Sequence, residues 1–244
     1  RRRALAPARR RGWPAAASGP AVHPAAVARP VAAGRRCAAA HAGGVVYLPQ
    51  PHAPTGSILA ASELQRVAEI SGEWLVVIDE AYHQFAGTSS ATLARSCPNV
   101  LILRTFSKAW GLAGLRLGYA LASDEVARHL RKLVPPFAIS VMQQIAAEVA
   151  LSNPGYMRER VERTIRERER IALALRQHPT WEVYASAANF LLIRTPDAAR
   201  ASEQLLQAGI LVRRQDAYSS LAGCIRVTVG TPEENDLFLR AAGL

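Results

Sequence analysis

Acidic residues are missing from the first quarter of this 244-residue chain, the first being Glu63. Residues 1–42 hold nine arginines against no acid, so they carry nine of the formal eleven net positive charges. The remainder, at about +2, is balanced like an ordinary soluble enzyme. That amino-terminal stretch is almost entirely Arg, Ala, Pro, Gly and Val, without helical or strand periodicity and interrupted by prolines, which excludes a packed core there. Its clusters Arg1-Arg2-Arg3 and Arg9-Arg10-Arg11 would attract an anionic surface, but Trp13 is its one aromatic residue. Serine is scarce and no amphipathic stripe is present, which argues against an organellar transit peptide. Long apolar runs are lacking as well, which excludes a secretory core or a membrane-spanning helix. Cysteine is sparse: Cys37, Cys97 and Cys224 are odd in number and form no Cys-x-x-Cys pair. They predict reduced thiols and a cytoplasmic location, not a disulfide framework or thiolate metal site. The six histidines have no paired spacing, so no metal is expected. Neither nucleic acid nor membrane is a predicted partner.

What the chain does contain is two apolar strands that end in polar groups. Val100-Leu101-Ile102-Leu103 runs into Arg104-Thr105-Phe106-Ser107-Lys108, followed by Ala113-Gly114-Leu115-Arg116-Leu117-Gly118. A buried strand of this kind delivers the Lys108 amine to the carboxyl edge of a sheet, where α/β folds collect ligands. Ser107 and Arg116 are candidate phosphate binders beside it. Upstream, Trp74-Leu75-Val76-Val77-Ile78 ends in Asp79-Glu80-Ala81-Tyr82. A lysine, a carboxylate and phosphate-binding groups together suit pyridoxal phosphate: the amine captures the aldehyde, and an anion keeps the ring nitrogen protonated. Asp79 fits that second role, and Tyr82 is placed to reach the ring hydroxyl.

From about Gly43 to its end the chain resembles fold-type I aminotransferases of the histidinol-phosphate aminotransferase family. The ordered blocks Pro54-Thr55-Gly56, Asp79-Glu80-Ala81-Tyr82, Arg104-Thr105-Phe106-Ser107-Lys108, Ala113 to Gly118, Ala188-Asn189-Phe190 and Arg226-Val227-Thr228-Val229-Gly230-Thr231 carry the resemblance. It implies that Lys108 is the catalytic residue and bears pyridoxal 5'-phosphate covalently, that Asp79 pairs with the ring nitrogen and Tyr82 with the ring oxygen, and that Ser107 and Arg116 bind the phosphate. It places Asn189, Arg213 and Arg226 near substrate. The implied reaction moves an amino group between glutamate or 2-oxoglutarate and histidinol phosphate or imidazole-acetol phosphate, in a homodimer. Both arginines also read as inward cations on the strands Ile210 to Arg213 and Cys224 to Val229, where a guanidinium fork suits phosphate and carboxylate alike. Threonine-phosphate decarboxylases and aromatic aminotransferases share nearly the same lysine block, and an inactive fragment with a basic arm is the alternative from another class.

Two departures qualify the resemblance. In Gln50-Pro51-His52-Ala53-Pro54-Thr55-Gly56, Ala53 occupies the place of an asparagine that contacts the ring oxygen in the family, and alanine offers no such hydrogen bond. His52 reads as a turn residue. Residues 1–42 do not resemble the region that the family places before the Pro-Thr-Gly block, and a shifted reading frame would account for their composition. The expected fold is α/β, like the fold-type I pyridoxal-phosphate transferases. Residues 43–155 would form an incomplete, mainly parallel large domain and residues 156–244 a smaller α+β domain. A capping-box spacing at Ser62 to Gln65 starts a short helix, Ser140 to Leu151 reads as an apolar-faced helix, and Tyr156 to Gln177 as a solvated bridging helix laced with ion pairs.

Overall fold

The computed structural model describes residues 44–244 apart from Glu73. The arginine-rich residues 1–42, with Cys37, lie outside them. The first sheet has the order β1 (Val45–Pro49), β2 (Leu75–Asp79), β3 (Val100–Thr105), β4 (Gly118–Ala122). The first three strands are parallel and β4 runs antiparallel to β3. Strand side chains alternate between faces, so Val46, Leu48, Val76, Ile78, Val100, Ile102 and Leu121 share one side. There they pack against Leu64, Val67 and Ala68 of α1 (Ala61–Ile70) and Leu93 and Ala94 of α3 (Leu93–Ser96), the short helix α2 (His83–Ala86) lying between these in the chain. Ile78 and Ile102 are fully buried, each burial contributing about 1.5–3 kcal/mol. Tyr47, Asp79, Leu103 and Thr105 fall on the opposite face, where the polar groups collect.

The chain continues through α4 (Asp124–Arg131) and α5 (Val141–Ser152) into the long α6 (Pro154–Leu175). A second sheet follows, entirely antiparallel in the order β5 (Glu182–Val183), β6 (Phe190–Arg194), β8 (Cys224–Thr228), β7 (Arg213–Arg214). Its core of Leu191, Ile193, Ile225 and Val227 packs against Ile171, Ala172 and Leu175 of α6, Leu205 of α7 (Ala198–Gln207) and Phe238 and Leu239 of α8 (Pro232–Ala242). The caps follow from local chemistry. Asp197 accepts from the Ala199 and Arg200 N–H groups at 2.9 and 3.1 Å, and Thr231 and Glu234 form a reciprocal box. Pro232 opens α8 and Gly243, at φ 92°, closes it.

Three expected elements shift. Helix α1 starts at Ala61, one residue before Ser62, because the Glu63 carboxylate accepts the Ala60 N–H at 2.7 Å. The strand expected at Ile210 to Arg213 is confined to Arg213–Arg214, short pairing that leaves both residues exposed. Helix α6 has ion pairs, Arg170 bonding Glu167 and Asp236 at 2.8 and 2.7 Å, but it is not simply solvated. Its second half buries Arg168, Ile171, Ala172 and Leu175, and Arg168 donates to the carbonyls of Phe85 and Ala188. Helix α5 buries no residue, and Val141, Met142, Ile145 and Val149 are exposed on it.

Candidate active site

Because β2 and β3 are parallel, their carboxyl ends open on the same edge of the sheet, and Asp79 pairs in register with Leu103. The segment beyond β3 is anchored by two buried side chains, Phe106 and Ala109, each 4% exposed. Hydrogen bonds from Phe106 N–H to the Leu117 carbonyl (3.1 Å) and from Leu112 N–H to the Phe106 carbonyl (3.0 Å) close the loop. Between the anchors, Ser107 is half-buried and Lys108 is exposed. Gly111, at φ +71°, completes the turn against Arg160; a Cβ there would come within 2.5 Å of the guanidinium.

A cavity of roughly 290 Å³ opens at this edge, lined by Asp79, Ala81, Leu103, Arg104, Thr105, Ser107, Lys108 and Arg116. Four of the sequence-derived candidates, Asp79, Ser107, Lys108 and Arg116, therefore share one wall. Arg116 reaches it from a left-handed backbone position, φ 51°, after the single-turn 3-10 helix Ala113–Leu115. The Asp79 carboxylate is already engaged on both oxygens: Oδ1 accepts from the Ala81 N–H at 3.0 Å, and Oδ2 accepts from the Tyr47 hydroxyl. Partial burial, then the hydrogen bond and charge of Asp79, push the Tyr47 phenol well above its ordinary range, so it donates at physiological pH.

Tyr82 is outside the cavity wall but beneath the lysine, its ring centroid 5.3 Å from Lys108 Nζ. It meets Phe190 edge-on at 5.3 Å and 87°, and the Arg226 guanidinium lies 5.0 Å from the Phe190 ring centroid. Lys108, Tyr82, Phe190 and Arg226 thus form a continuous contact series from the first sheet to the second. Arg226 Nε is buried and has no hydrogen-bond partner among the described residues, an unsatisfied charge-bearing donor. Arg213 lies opposite Arg226 in the β7–β8 register, on the same face of the sheet, but is exposed, whereas Arg226 is half-buried. Asn189 is half-buried and contributes its carbonyl to the Val229 N–H at 3.0 Å. The Pro54-Thr55-Gly56 turn docks beside β6: the Gly56 carbonyl accepts from Ala187 N–H at 2.8 Å, and a Cβ on Gly56 (φ +76°) would lie 2.2 Å from Ser186 Oγ.

Sequence reasoning gave no role to Tyr47, Glu80, Arg104 or Phe190. The signal for Tyr47 is its period-two position, on the face of β1 that β2 shares with Asp79. Glu80, 1% exposed, pairs with Arg104 at 2.9 Å and also accepts from the Ser90 N–H. This pair ties the ends of β2 and β3 together at the same sheet edge, with Arg104 lining the cavity beside Asp79 and Lys108. Next to it, burial and the charge of Arg104 lower the His83 imidazole below its ordinary value, against the opposing pull of Glu80 and of a Thr88 backbone hydrogen bond. A depressed histidine favours the folded state above the unfolded value of about 6.5, and that advantage is lost as pH falls through the folded value. His83→Gln should therefore lose less thermal stability than the unaltered chain between about pH 7 and pH 5.5. Equal losses in a pH-dependent melting series would remove His83 from this account.

Cys97 and Cys224 are free, and burial pushes the Cys224 thiol up, away from reactivity. Among the described residues, no helix is long and apolar enough to cross a membrane, and no group of His, Cys, Asp or Glu side chains is placed to hold a metal ion.

The histidinol-phosphate aminotransferase of Deinococcus radiodurans is 51% identical over 214 residues, covering 87% of this chain and 59% of that protein. The enzyme of the same name from Thermococcus kodakarensis is 42% identical over 80% of this chain and 54% of its own length. Among solved structures, histidinol-phosphate aminotransferase from Sinorhizobium meliloti in complex with pyridoxal-5'-phosphate superposes with a TM-score of 0.75 at 31% identity, covering 81% of this chain and 56% of that one. The chain spans less than two thirds of the length of each of these relatives. The sequence pattern of the aminotransferases of class I and II matches residues 33–241, and the chain belongs to that family.

Proposed function

We propose that this chain forms the lysine-bearing part of a pyridoxal-phosphate-dependent aminotransferase of histidine biosynthesis, acting between histidinol phosphate and 2-oxoglutarate as a cytoplasmic homodimer. The observation that carries the reading is the cavity where Asp79, Ser107, Lys108 and Arg116 share one wall. Its donor set fits the cofactor: an amine for the aldehyde, a carboxylate for the ring nitrogen, and a hydroxyl and a guanidinium for the phosphate. When bound, pyridoxal phosphate supplies an electron sink for the carbon that bears the substrate amino group. Lys108 Nζ would move the proton between that carbon and the cofactor carbon that takes up the amino group, and Tyr82, 5.3 Å away, would steer the amine across its ring face. Asp79 would hold the ring-nitrogen proton. Arg226, with its unsatisfied Nε, would grip a substrate carboxylate or phosphate, with Asn189 and the exposed Arg213 flanking it. Ala53 leaves the ring oxygen to Tyr82 or to water. Division into units at residues 155/156 is part of the same reading, supported by the two separate sheets. The exposed apolar residues Leu133, Val134, Phe137 and Met142 favour a covering subunit.

The test is a substrate profile of the full chain loaded with pyridoxal phosphate. Amino transfer from histidinol phosphate to 2-oxoglutarate is expected, while decarboxylation of phosphothreonine or preference for aromatic amino acids would replace the substrate assignment. Arg226→Lys should raise the Michaelis constant for the anionic substrate roughly tenfold to a hundredfold, because an ammonium cannot reproduce a two-pronged contact. An unchanged constant would release Arg226 from substrate binding.

A further inference from the structure

Tyr47 is exposed over half its surface on β1, where a phenol would ordinarily point its hydroxyl at water. Instead it reaches diagonally across the sheet. Tyr47 pairs with Val77, and its hydroxyl donates to a carboxylate oxygen of Asp79, two residues further along β2 on the same face. The other oxygen accepts from the Ala81 N–H. A carboxylate held at both oxygens can no longer rotate freely, yet each oxygen keeps acceptor capacity, since each carries two lone-pair sites. We infer that Tyr47 is a positioning residue: with the Ala81 N–H it sets the orientation in which Asp79 meets the ring nitrogen of the cofactor. The inference rests on the cofactor assignment made above. It also gives the carboxylate end of the site an anchor at a place where Ala53 supplies none to the oxygen side. Burial and the neighbouring Asp79 raise the pKa of Tyr47, which agrees with a hydroxyl that stays protonated and keeps donating.

The experiment uses the full chain, Tyr47→Phe and Asp79→Ala, with a melting curve to establish that each is folded. Without cofactor, tyrosine labelled with 13C at Cζ gives a resonance assigned to Tyr47 by its loss in Tyr47→Phe. This resonance is expected to shift in Asp79→Ala, and an unmoved resonance would overturn the contact. Pyridoxal phosphate is then titrated and followed by absorbance. Tyr47→Phe should need about tenfold more cofactor for half-saturation, as expected for a lost hydrogen bond to a charged group. At saturation, cofactor labelled with 15N in the ring should show a displaced resonance in Tyr47→Phe while the absorbance band from Lys108 is retained. Unchanged half-saturation together with an unchanged 15N resonance would overturn the inference. Failure of the unaltered chain to take up cofactor would overturn the functional assignment and this inference with it, a result separable from the others because the 13C measurement does not involve cofactor.

Discussion

Replacing Lys108 by alanine is expected to abolish the visible absorbance band that forms on titrating the chain with pyridoxal phosphate, and with it all amino transfer. The side chain is exposed between two buried anchors, Phe106 and Ala109, so its loss removes an amine without opening a cavity in the core. The melting temperature should stay within about 2 °C of the unaltered chain, as for a surface substitution. Electrostatic contacts from Ser107 and Arg116 remain in the cavity wall, so weak non-covalent retention of the cofactor should persist. A lysine-dependent band is thus the discriminating signal. If Lys108→Ala keeps the band, another amine holds the aldehyde; if neither protein shows one, the chain does not capture the cofactor.

Glu80→Ala should unfold or severely weaken the first sheet. Glu80 is 1% exposed and its partner Arg104 only 15% exposed at the side chain, so truncation leaves a guanidinium in the interior without its anion. Breaking such a pair costs about 3–5 kcal/mol, roughly 10 °C or more for a chain of this size. The Arg104 interaction with Ser89, at 2.6 Å, offsets only part of this, since a hydroxyl carries no charge. The double substitution Glu80→Met with Arg104→Met should recover much of the loss, because removing both charges removes the uncompensated one. A single variant that melts like the unaltered chain would show that the pair does not hold the strand ends together.

These two residues illustrate what was legible. Lys108 and Asp79 were readable because Asp79 ends an apolar β-branched run and Lys108 follows one closely, and that pattern specifies a buried strand and the end at which its polar residues emerge. Glu80 and Arg104 stood in the same blocks but gained no role, since a carboxylate 24 residues from its partner cannot be paired without knowing which strands are neighbours. Arg213 and Arg226 looked alike in sequence, and the structure separated them: β8 is central in its sheet and buries the Arg226 stem, while β7 is a two-residue edge. The solvated reading of α6 holds for the dense charges of residues 158–170 but not for its apolar end, where packing sets Ile171, Ala172 and Leu175 against the second sheet.

By itself the sequence determined the strand-ending polar groups, the family's ordered blocks and the two-part alternation of elements, because period-two and period-3.6 patterns and turn chemistry are local properties. Only the tertiary structure decided that Asp79, Ser107, Lys108 and Arg116 share a cavity, that Tyr47 caps Asp79, and that Phe190 bridges Tyr82 to Arg226. Those contacts join residues from different strands and from both sheets. Their distances depend on register and on how the sheets pack, which no local pattern encodes.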